Sequence, residues 1–250
     1  MLQLKNINVW YGNNHILRDL SCKIEHGDFI VIVGANGAGK TSFFDTIAGK
    51  VMPKSGSLIL DGVDITALSE QQRAGMITRL FQNTQLNSVG TLTVEQNLAM
   101  ALYSRRTAKL VNGMTVMPDQ RAKQLVENLA MDPSILKKQM SSLSGGQRQL
   151  IAFVMATQLK PKILLLDEPT AALDPQASTK LLEYAVKFIK KNDITTLLIT
   201  HDPHIALAVG NKIWILENGV IARQFNNEEK KGLNPDQLIG QIDYARLTHE

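Results

Sequence analysis

The sequence predicts an α/β core built around a parallel sheet, preceded by an antiparallel β subdomain and interrupted by a helical insertion. Three observations lead to this prediction. The apolar run Phe29–Val33 leads through a glycine-rich turn at residues 34–42 into a helix-compatible segment. The consecutive apolar residues 163–166 are typical of a parallel strand that is buried on both faces. Between them, residues 83–159 carry helical apolar spacing without a strand pattern.

The composition limits the class of protein. The 250 residues are 44% hydrophobic, which is enough for one large domain or for one domain with a lobe. The 27 basic and 23 acidic residues give a net charge of +4, and the basic residues are scattered apart from a local cluster at Arg105, Arg106 and Lys109. Only 5% of residues are aromatic, and no basic stripe with interleaved aromatics is visible, so we expect no nucleic-acid partner.

Cys22 is the only cysteine, so the chain can form no internal disulfide and no cysteine-based zinc site. Its neighbours predict a small buried strand residue. The five histidines show no metal-ligand spacing. The chain starts with an alternating strand pattern instead of a signal peptide, and no apolar stretch approaches the ~20 residues that span a bilayer. We therefore expect a cytosolic protein whose membrane contact comes through a partner.

The N-terminal segment predicts two strands on either side of a turn at residues 12–14. Tyr11 stands just before that turn. The residue pattern alone favours two roles for it equally: a half-buried aromatic at a strand end, or a flat surface on which an adenine ring stacks.

The glycine-rich stretch has the pattern of a phosphate-binding loop. Gly34, Gly37 and Gly39 let the backbone bend so that successive N–H groups point inward and form a nest for anions. The helix that follows adds the positive end of its dipole. In this arrangement Lys40 reaches the β- and γ-phosphates, and the Thr41 hydroxyl holds Mg²⁺. The predicted nucleotide-binding residues of the loop are Gly34, Asn36, Gly37, Ala38, Gly39, Lys40, Thr41 and Ser42.

After a helix at residues 40–50, the pattern predicts a strand, a tight turn at Asp61 and Gly62, a short helix, and a further strand that ends at Phe81. That strand leads into Gln82. A glutamine at this place is either an ordinary loop residue or a ligand that holds Mg²⁺ and water near the γ-phosphate.

The middle of the chain predicts helices at residues 94–103, 119–131 and 145–159, with a surface loop at 104–118. The third helix opens with Ser144-Gly145-Gly146-Gln147. Two glycines after a serine at a helix start form an anion site, for the same reason as the first loop does. One nucleotide does not need two γ-phosphate sites in one chain, so this site makes sense if it reaches a nucleotide bound by another subunit. The alternative is a serine N-cap followed by flexible glycines.

Two carboxylates follow the buried strand at residues 163–166, at the carboxyl edge of the sheet, where ligands bind in open α/β folds. Asp167 is placed to hold Mg²⁺, and Glu168 is placed to polarise the attacking water. The alternative is a pair of solvated turn residues.

Two further residues have alternative roles. Asp174 either caps the helix predicted at residues 175–191 or carries contact across a dimer interface. His201 follows the buried strand at residues 195–200, on the same sheet edge as the phosphate loop. It is either structural or a donor to the γ-phosphate that also holds the attacking water.

The chain ends in a β-hairpin and a charged tail, to which we assign no chemistry, with a short helix predicted at residues 235–240. The whole of residues 1–250 is expected to form a single domain. Its parts are a core at residues 1–82 and 159–225, a helical subdomain at 83–158, and the tail at 226–250.

Six strings in their order resemble the nucleotide-binding subunit of an ABC transporter, over about residues 1–225. They correspond to the family's adenine-stacking loop, Walker A, Q-loop, signature, Walker B with D-loop, and switch histidine. In this sequence the strings are Tyr11, residues 34–42, Gln82, residues 143–147, residues 163–168 with 172–174, and His201. The resemblance implies an active ATPase with a P-loop NTPase core, an N-terminal antiparallel β subdomain and an inserted α-helical subdomain. It also makes adenine stacking the better role for Tyr11.

The resemblance further implies that two chains, expected to be identical, dock head to tail and bind two ATP·Mg²⁺ between them. Each ATP then lies between the Walker A of one chain and Ser144, Gly145 and Gly146 of the other, with Gln147 and Asp174 also at the nucleotide. The implied metal ligands are Thr41, Gln82 and Asp167, and the implied catalytic residues are Glu168, His201, Gln82 and Lys40. The implied partners are integral membrane permease subunits and, indirectly, a substrate-binding protein, with the ATPase on the cytoplasmic face of the plasma membrane.

Local strings around the signature and residues 170–175, with the long linker before Asp119, are similar to one bacterial importer subgroup whose cargo includes amino acids. Two alternatives from other classes stay open: an exporter or lipid-translocating system, and a soluble ABC ATPase acting in translation, DNA repair or iron–sulfur assembly. The single cassette without heptads disfavours the soluble class. The lack of fused membrane helices disfavours the exporter.

Overall fold

The structure, a computed structural model, describes residues 1–103, 119–158 and 160–248, so the predicted loop at 104–118 with its basic cluster lies outside the described residues. Two compact units make up the chain. The first unit comprises Met1–Thr78, Lys162–Glu168 and Asp193–Glu250, and the second unit comprises Arg79–Pro161 and Pro169–Asn192. The subdomain boundaries inferred from the sequence stay a prediction.

The described elements follow one another along the chain in this way. The strands are β1 (Leu2–Tyr11), β2 (Asn14–Ile24), β3 (Phe29–Val33), β4 (Ser55–Leu60), β5 (Val63–Asp64), β6 (Ile77–Leu80), β7 (Ile163–Asp167), β8 (Thr195–Ile199), β9 (Lys212–Glu217) and β10 (Val220–Phe225). The α-helices are α1 (Lys40–Ala48), α2 (Glu70–Arg73), α3 (Val94–Tyr103), α4 (Asp119–Glu127), α5 (Gly145–Thr157), α6 (Pro175–Asn192), α7 (Pro203–Ala208), α8 (Asn227–Lys231) and α9 (Pro235–Thr248).

The antiparallel sheet of the first unit has the strand order β2-β1-β4-β5. Leu2 of β1 pairs with Ile24 on one side and with Leu60 on the other, and all three side chains are buried. Asp61 and Gly62 join β4 to β5 with φ angles of +50° and +81°, which are those of the tight hairpin turn predicted there.

The second sheet, with the strand order β10-β9-β3-β8-β7-β6, positions the candidate site. β3 runs parallel to β8 and β9, so that Ile32 lies beside Ile199 and Trp214, and β7 runs parallel to β8. All five residues of β3 and of β8 are buried, as expected for parallel strands that are covered on both faces. Parallel neighbours end at the same edge, so the residues that follow β3, β7 and β8 meet there. These two sheets confirm the predicted α/β class.

Arg73 holds the C-terminal end of α1. Its fully buried guanidinium donates to the carbonyl oxygens of Thr46 and Ile47 at 2.7 and 2.9 Å, and to that of Thr66 at 2.9 Å. The carbonyls in the last turn of a helix have no partner within it, and a cation placed there also complements the helix dipole. Burial lowers the pKa of this guanidinium, and the nearby Asp64 carboxylate opposes the lowering.

Helices α3 and α5 of the second unit pack through their apolar faces, at the positions that the helical spacing predicts. The buried side chains of this pair include Val94, Leu98, Ile151 and Val154. Asn97, which is 1% exposed, holds the segment that precedes α3. Its side chain accepts from the N–H of Val89 at 2.8 Å and donates to the carbonyl oxygens of Val89 and Thr93 at 3.0 and 2.9 Å.

Two predicted helices have different ends. Helix α4 stops at Glu127 instead of residue 131, because the chain turns at Ala130, whose φ is +54°. In the tail, α9 continues past Gly240 to Thr248. Its buried residues Leu238 and Ala245 lie two turns apart on one face, so packing outweighs the low helix propensity of the glycine.

Lys230 of α8 anchors the tail to the segment between α7 and β9 of the same unit. The side chain is buried, and its ammonium donates to the carbonyl oxygens of Val209 and Gly210, the second at 3.0 Å. Burial lowers the pKa of this ammonium to about 8. Within the part of the chain that the structure describes, no helix has the length and hydropathy of a membrane span.

Replacing Arg73 with Met should lower the free energy of unfolding by about 2–4 kcal/mol, because buried carbonyls lose charge-assisted hydrogen bonds while the apolar stem stays. Urea denaturation followed by circular dichroism measures the change. Arg18→Met is the matched control, since Arg18 is exposed and the same change there should stay within about 0.5 kcal/mol. A loss at Arg73 no larger than that of the control would contradict the capping role of the guanidinium.

Candidate nucleotide-binding site

The loop at residues 34–39 begins where β3 ends, and its backbone depends on glycine. Gly34 has a φ of +153°, and a Cβ there would lie 2.0 Å from the carbonyl oxygen of Leu216 near the end of β9. Only a residue without a side chain fits so close to a neighbouring strand. Gly37 and Gly39 have φ angles of +86° and +100°, and Gly39 is the N-cap of α1. The backbone therefore bends as an anion nest requires.

Lys40 begins α1 with a side chain that is 8% exposed. Its Nζ donates to the carbonyl oxygens of Gly34 and Ala35, both at 2.8 Å. Burial lowers the pKa of this ammonium, and three nearby carboxylates oppose the lowering. These belong to Glu168, Glu217 and Asp167. The loop thus carries a buried cation that phosphate oxygens can recruit.

Carboxylates and an imidazole meet at the ends of the neighbouring strands. Asp167 is the last residue of β7, and the N–H of Glu168 donates to the carbonyl oxygen of Ile199 in β8 at 3.0 Å. His201 follows β8, and its Nδ1 lies 3.2 Å from Oε2 of Glu168. Glu168 has a φ of +44°. Positive φ is uncommon for a glutamate, and such strain clusters at functional sites.

The residues at this edge fit a magnesium ion. Mg²⁺ prefers hard oxygen ligands and is usually held by one or two protein oxygens together with phosphate oxygens and water. The exposed hydroxyl of Thr41 and the carboxylate of Asp167 are oxygens of this kind. Asp167 also lies near the Lys40 ammonium, which places it close to the loop that would hold the phosphates.

In the second unit, residues 144–147 form the start of α5. Oγ of Ser144 accepts from the N–H of Gln147, and the Gln147 side chain accepts from the N–H of Ser144, each at 3.2 Å, which is a capping box. A Cβ at Gly146 would lie 2.6 Å from that of Ala177 in the first turn of α6. Packing therefore requires glycine here, and the anion-binding role of these residues stays a prediction.

Three further predicted site residues have the following surroundings. Asp174 caps α6, because its carboxylate accepts from the N–H of Ala177 at 2.9 Å. Gln82 is exposed in the second unit, after β6. Tyr11 ends β1 in the first unit with 45% of its surface exposed. The residues that the structure brings together are Lys40, Asp167, Glu168 and His201.

Sequence reasoning missed Glu217. This glutamate ends β9 and is 4% exposed, and its Oε2 lies 3.5 Å from the N–H of Ala35 in the phosphate loop. The one signal available was an acidic residue closing an otherwise apolar strand, just before the Asn218-Gly219 turn. A hairpin strand end is an ordinary place for an exposed glutamate. The signal therefore does not distinguish a buried glutamate beside the phosphate loop from an exposed one at the surface.

A glycine-rich loop between a buried parallel strand and a helix, a lysine at the start of that helix, and carboxylates at the end of a nearby strand define a P-loop nucleotide-binding ATPase. Comparison with known proteins narrows this class. The family described as "ABC transporter" matches residues 17–171. A second one, described as "AAA domain, putative AbiEii toxin, Type IV TA system", matches residues 137–208.

Individual proteins give the same result. A tyrosine transport ATP-binding protein of Clostridioides difficile is 35% identical over 98% of this chain and 100% of its own length. A glutamate/glutamine/aspartate/asparagine transport ATP-binding protein of Rhodobacter capsulatus is 31% identical over 96% of this chain and 90% of its own length. The ATP-binding cassette MJ0796, solved as a dimer in a post-hydrolysis state bound to ADP and Pi, is 26% identical, with a TM-score of 0.76 over 91% of this chain and 99% of that one. The chain belongs to the ABC transporter family, as an ATP-binding subunit with the ATPase fold of that family.

Gly34→Ala should lower the free energy of unfolding, measured without nucleotide, by at least about 3 kcal/mol, because the new Cβ collides with a backbone carbonyl. Gly37→Ala is the matched control. Its φ is also positive, but nothing lies within 4 Å of the added Cβ, so it should cost only about 1 kcal/mol of left-handed strain. Equal losses in the two variants would contradict the close approach of Gly34 to β9.

Proposed function

We propose that this chain hydrolyses ATP as the energy-supplying subunit of an ABC importer, working as a dimer that is bound to membrane permease subunits. The observation that carries the proposal is the grouping of Lys40, Asp167, Glu168 and His201 at one sheet edge beside the phosphate loop. The group provides an ammonium for phosphate oxygens, a carboxylate for water, and an imidazole that bonds to that carboxylate.

Phosphoryl transfer depends on positioning and charge neutralisation more than on covalent chemistry by the protein. The N–H groups of the loop and Lys40 bind the phosphates, and Tyr11 stacks on the adenine. Glu168 accepts a hydrogen bond from the attacking water and polarises it. His201 pairs with that carboxylate through Nδ1, and with both ring nitrogens protonated it also donates to the γ-phosphate through Nε2. Of these contacts, the pairing of His201 with Glu168 is the one that the described residues make among themselves, at 3.2 Å.

Mg²⁺ is the proposed cofactor, held by Thr41 and Asp167, and the sequence adds Gln82 as a third ligand. When bound, the ion neutralises charge on the phosphate oxygens. Thr41 comes directly after Lys40, so the metal ligand and the phosphate-binding ammonium start the same helix. Asp167 reaches the site from β7.

The second half of each site is proposed to come from another copy docked head to tail. Ser144, Gly145, Gly146 and Gln147 begin a helix of 13 residues, whose first N–H groups and positive dipole end attract anions. Asp174 lies close to this contact. The dimeric ADP- and Pi-bound cassette found among the solved structures supports the arrangement. ATP then favours the closed dimer, and hydrolysis removes that preference.

The partners and the cargo are proposed from the relatives. Both relatives described above are transport ATP-binding proteins for amino acids, which supports amino-acid-like cargo for the proposed importer. Such a system includes integral permease subunits and a substrate-binding protein, and it places this chain on the cytoplasmic face of the plasma membrane. An exporter or lipid-translocating system is the alternative.

Glu168→Gln should lower kcat for ATP hydrolysis by at least about 10²-fold, because an amide does not polarise the water, while ATP still binds. In this variant ATP with Mg²⁺ should convert monomer into dimer on a size-exclusion column. Phosphate release and elution volume measure the two effects. ATP hydrolysis at the wild-type rate would remove Glu168 from its role.

The contribution of the second copy to the site is tested in the Glu168→Gln background by adding Ser144→Ala. The double variant should keep its affinity for ATP but should no longer form the ATP-dependent dimer. Ser134→Ala, at an exposed serine of the same unit, is the control and should leave the dimer intact.

The direction of transport has its own test. For an importer, the genes beside this one should encode an apolar multi-span permease and a secreted binding protein. Vesicles reconstituted with those proteins and this chain should take up a labelled amino acid only when ATP is supplied on the ATPase side. A neighbouring gene for a membrane-fusion protein, or ATP-driven release of a lipid, would favour the alternative.

A further inference from the structure

Glu217 lies against the phosphate loop, and the chemistry proposed above does not use it. Its side chain is 4% exposed, and its Oε2 lies 3.5 Å from the N–H of Ala35. The carbonyl oxygen of the same Ala35 accepts from Nζ of Lys40 at 2.8 Å. A nearly buried carboxylate thus contacts the loop at the residue whose carbonyl binds the phosphate-recruiting ammonium.

The hairpin that carries Glu217 is fixed against this loop by the backbone. The carbonyl of Leu216 leaves no room for a side chain at Gly34. The N–H of Gly219, in the turn after β9, donates to the carbonyl oxygen of Ala38 at 3.0 Å. Because the contacts before and after Glu217 are both with the loop, the carboxylate has little room to withdraw when a ligand enters.

A negative charge at this place has opposite effects with and without nucleotide. Without nucleotide, it compensates the buried ammonium of Lys40, whose charge burial disfavours. ATP and ADP bring several negative charges of their own, which then compensate Lys40 directly. From that point Glu217 only repels the ligand, and a nearly buried charge is screened by salt much less than an exposed one.

We propose that Glu217 is a positioning residue that acts through the phosphate loop and Lys40. Its fixed negative charge compensates the ammonium of Lys40 when no nucleotide is bound. The same charge lowers the affinity of the loop for nucleotide phosphates, so that nucleotide exchanges more readily. This inference rests on the proposed phosphate-binding role of residues 34–42. It assigns to the β9–β10 hairpin a part in setting nucleotide affinity.

Glu217→Gln tests the inference, because the amide keeps the size of the side chain and an oxygen for the N–H of Ala35 but removes the charge. The variant should bind ATP about three- to tenfold more tightly than the wild type, as expected for a unit charge at a partly screened distance. The gain should fall from ATP to ADP to AMP as the charge of the ligand falls. Titration with N-methylanthraniloyl nucleotides, with EDTA in place of Mg²⁺ to prevent hydrolysis, measures Kd at fixed ionic strength.

Glu228→Gln is the matched control, since it removes the same charge from an exposed position of the first unit and should leave all three Kd values at those of the wild type. Glu217→Met provides a second variant without the charge and should also bind ATP more tightly. Weaker or unchanged ATP binding by Glu217→Gln, or an equal gain in affinity for ATP and AMP, overturns the inference. Glu217 would then only stabilise the structure of the loop. A wild-type protein that binds none of the nucleotides would instead overturn the assignment of the phosphate loop.

Discussion

The placement of β3 between β8 and β9 is the constraint on which the site depends. Its register puts the chain at Gly34 against the carbonyl of Leu216, with no space for even a methyl group. The phosphate loop must therefore begin at Gly34 and leave the sheet in the direction that the end of β3 sets. The same pairing brings the ends of β7 and β8 to the loop, and with them Glu168 and His201. The geometry of the candidate site follows from backbone packing, because its side chains stand at strand ends that the sheet fixes.

Both ends of helix α1 are fixed by polar contacts. Its first turn carries Lys40 and follows the predicted phosphate loop, and its last turn is bonded to the buried guanidinium of Arg73. A cation at the C-terminal end and an anion at the N-terminal end both complement the helix dipole. The last turn of α1 is thus stabilised by the C-terminal residue of α2, at the opposite end of the helix from the predicted phosphate loop.

Local spacing was enough to predict the placement of the loop glycines, Lys40 and Glu168 in a strand–loop–helix and at a strand end, while their chemical roles stay a prediction. The α/β class followed from the same patterns. Glu217 could not be found this way, because Ala35 is separated from it by 182 positions along the chain. Arg73 could not be found either, because no local pattern marks the carbonyl oxygens of Thr46 and Ile47, 27 and 26 positions before it, as its partners. Their types and neighbours are those of ordinary surface residues. The length of α9 was missed for a related reason, since a glycine marks a local weakness that only the packing of the finished fold outweighs.

The two tryptophans lie in contrasting surroundings. Trp214 is 2% exposed within the central sheet, whereas Trp10 is 40% exposed and stacks on His15 with a ring separation of 3.9 Å and an interplanar angle of 6°. Trp10 also precedes Tyr11, the residue proposed to stack on the adenine. The natural emission of the protein therefore combines a signal from its interior with one from the exposed end of β1. Quenching by a small solute such as acrylamide separates them without any attached dye.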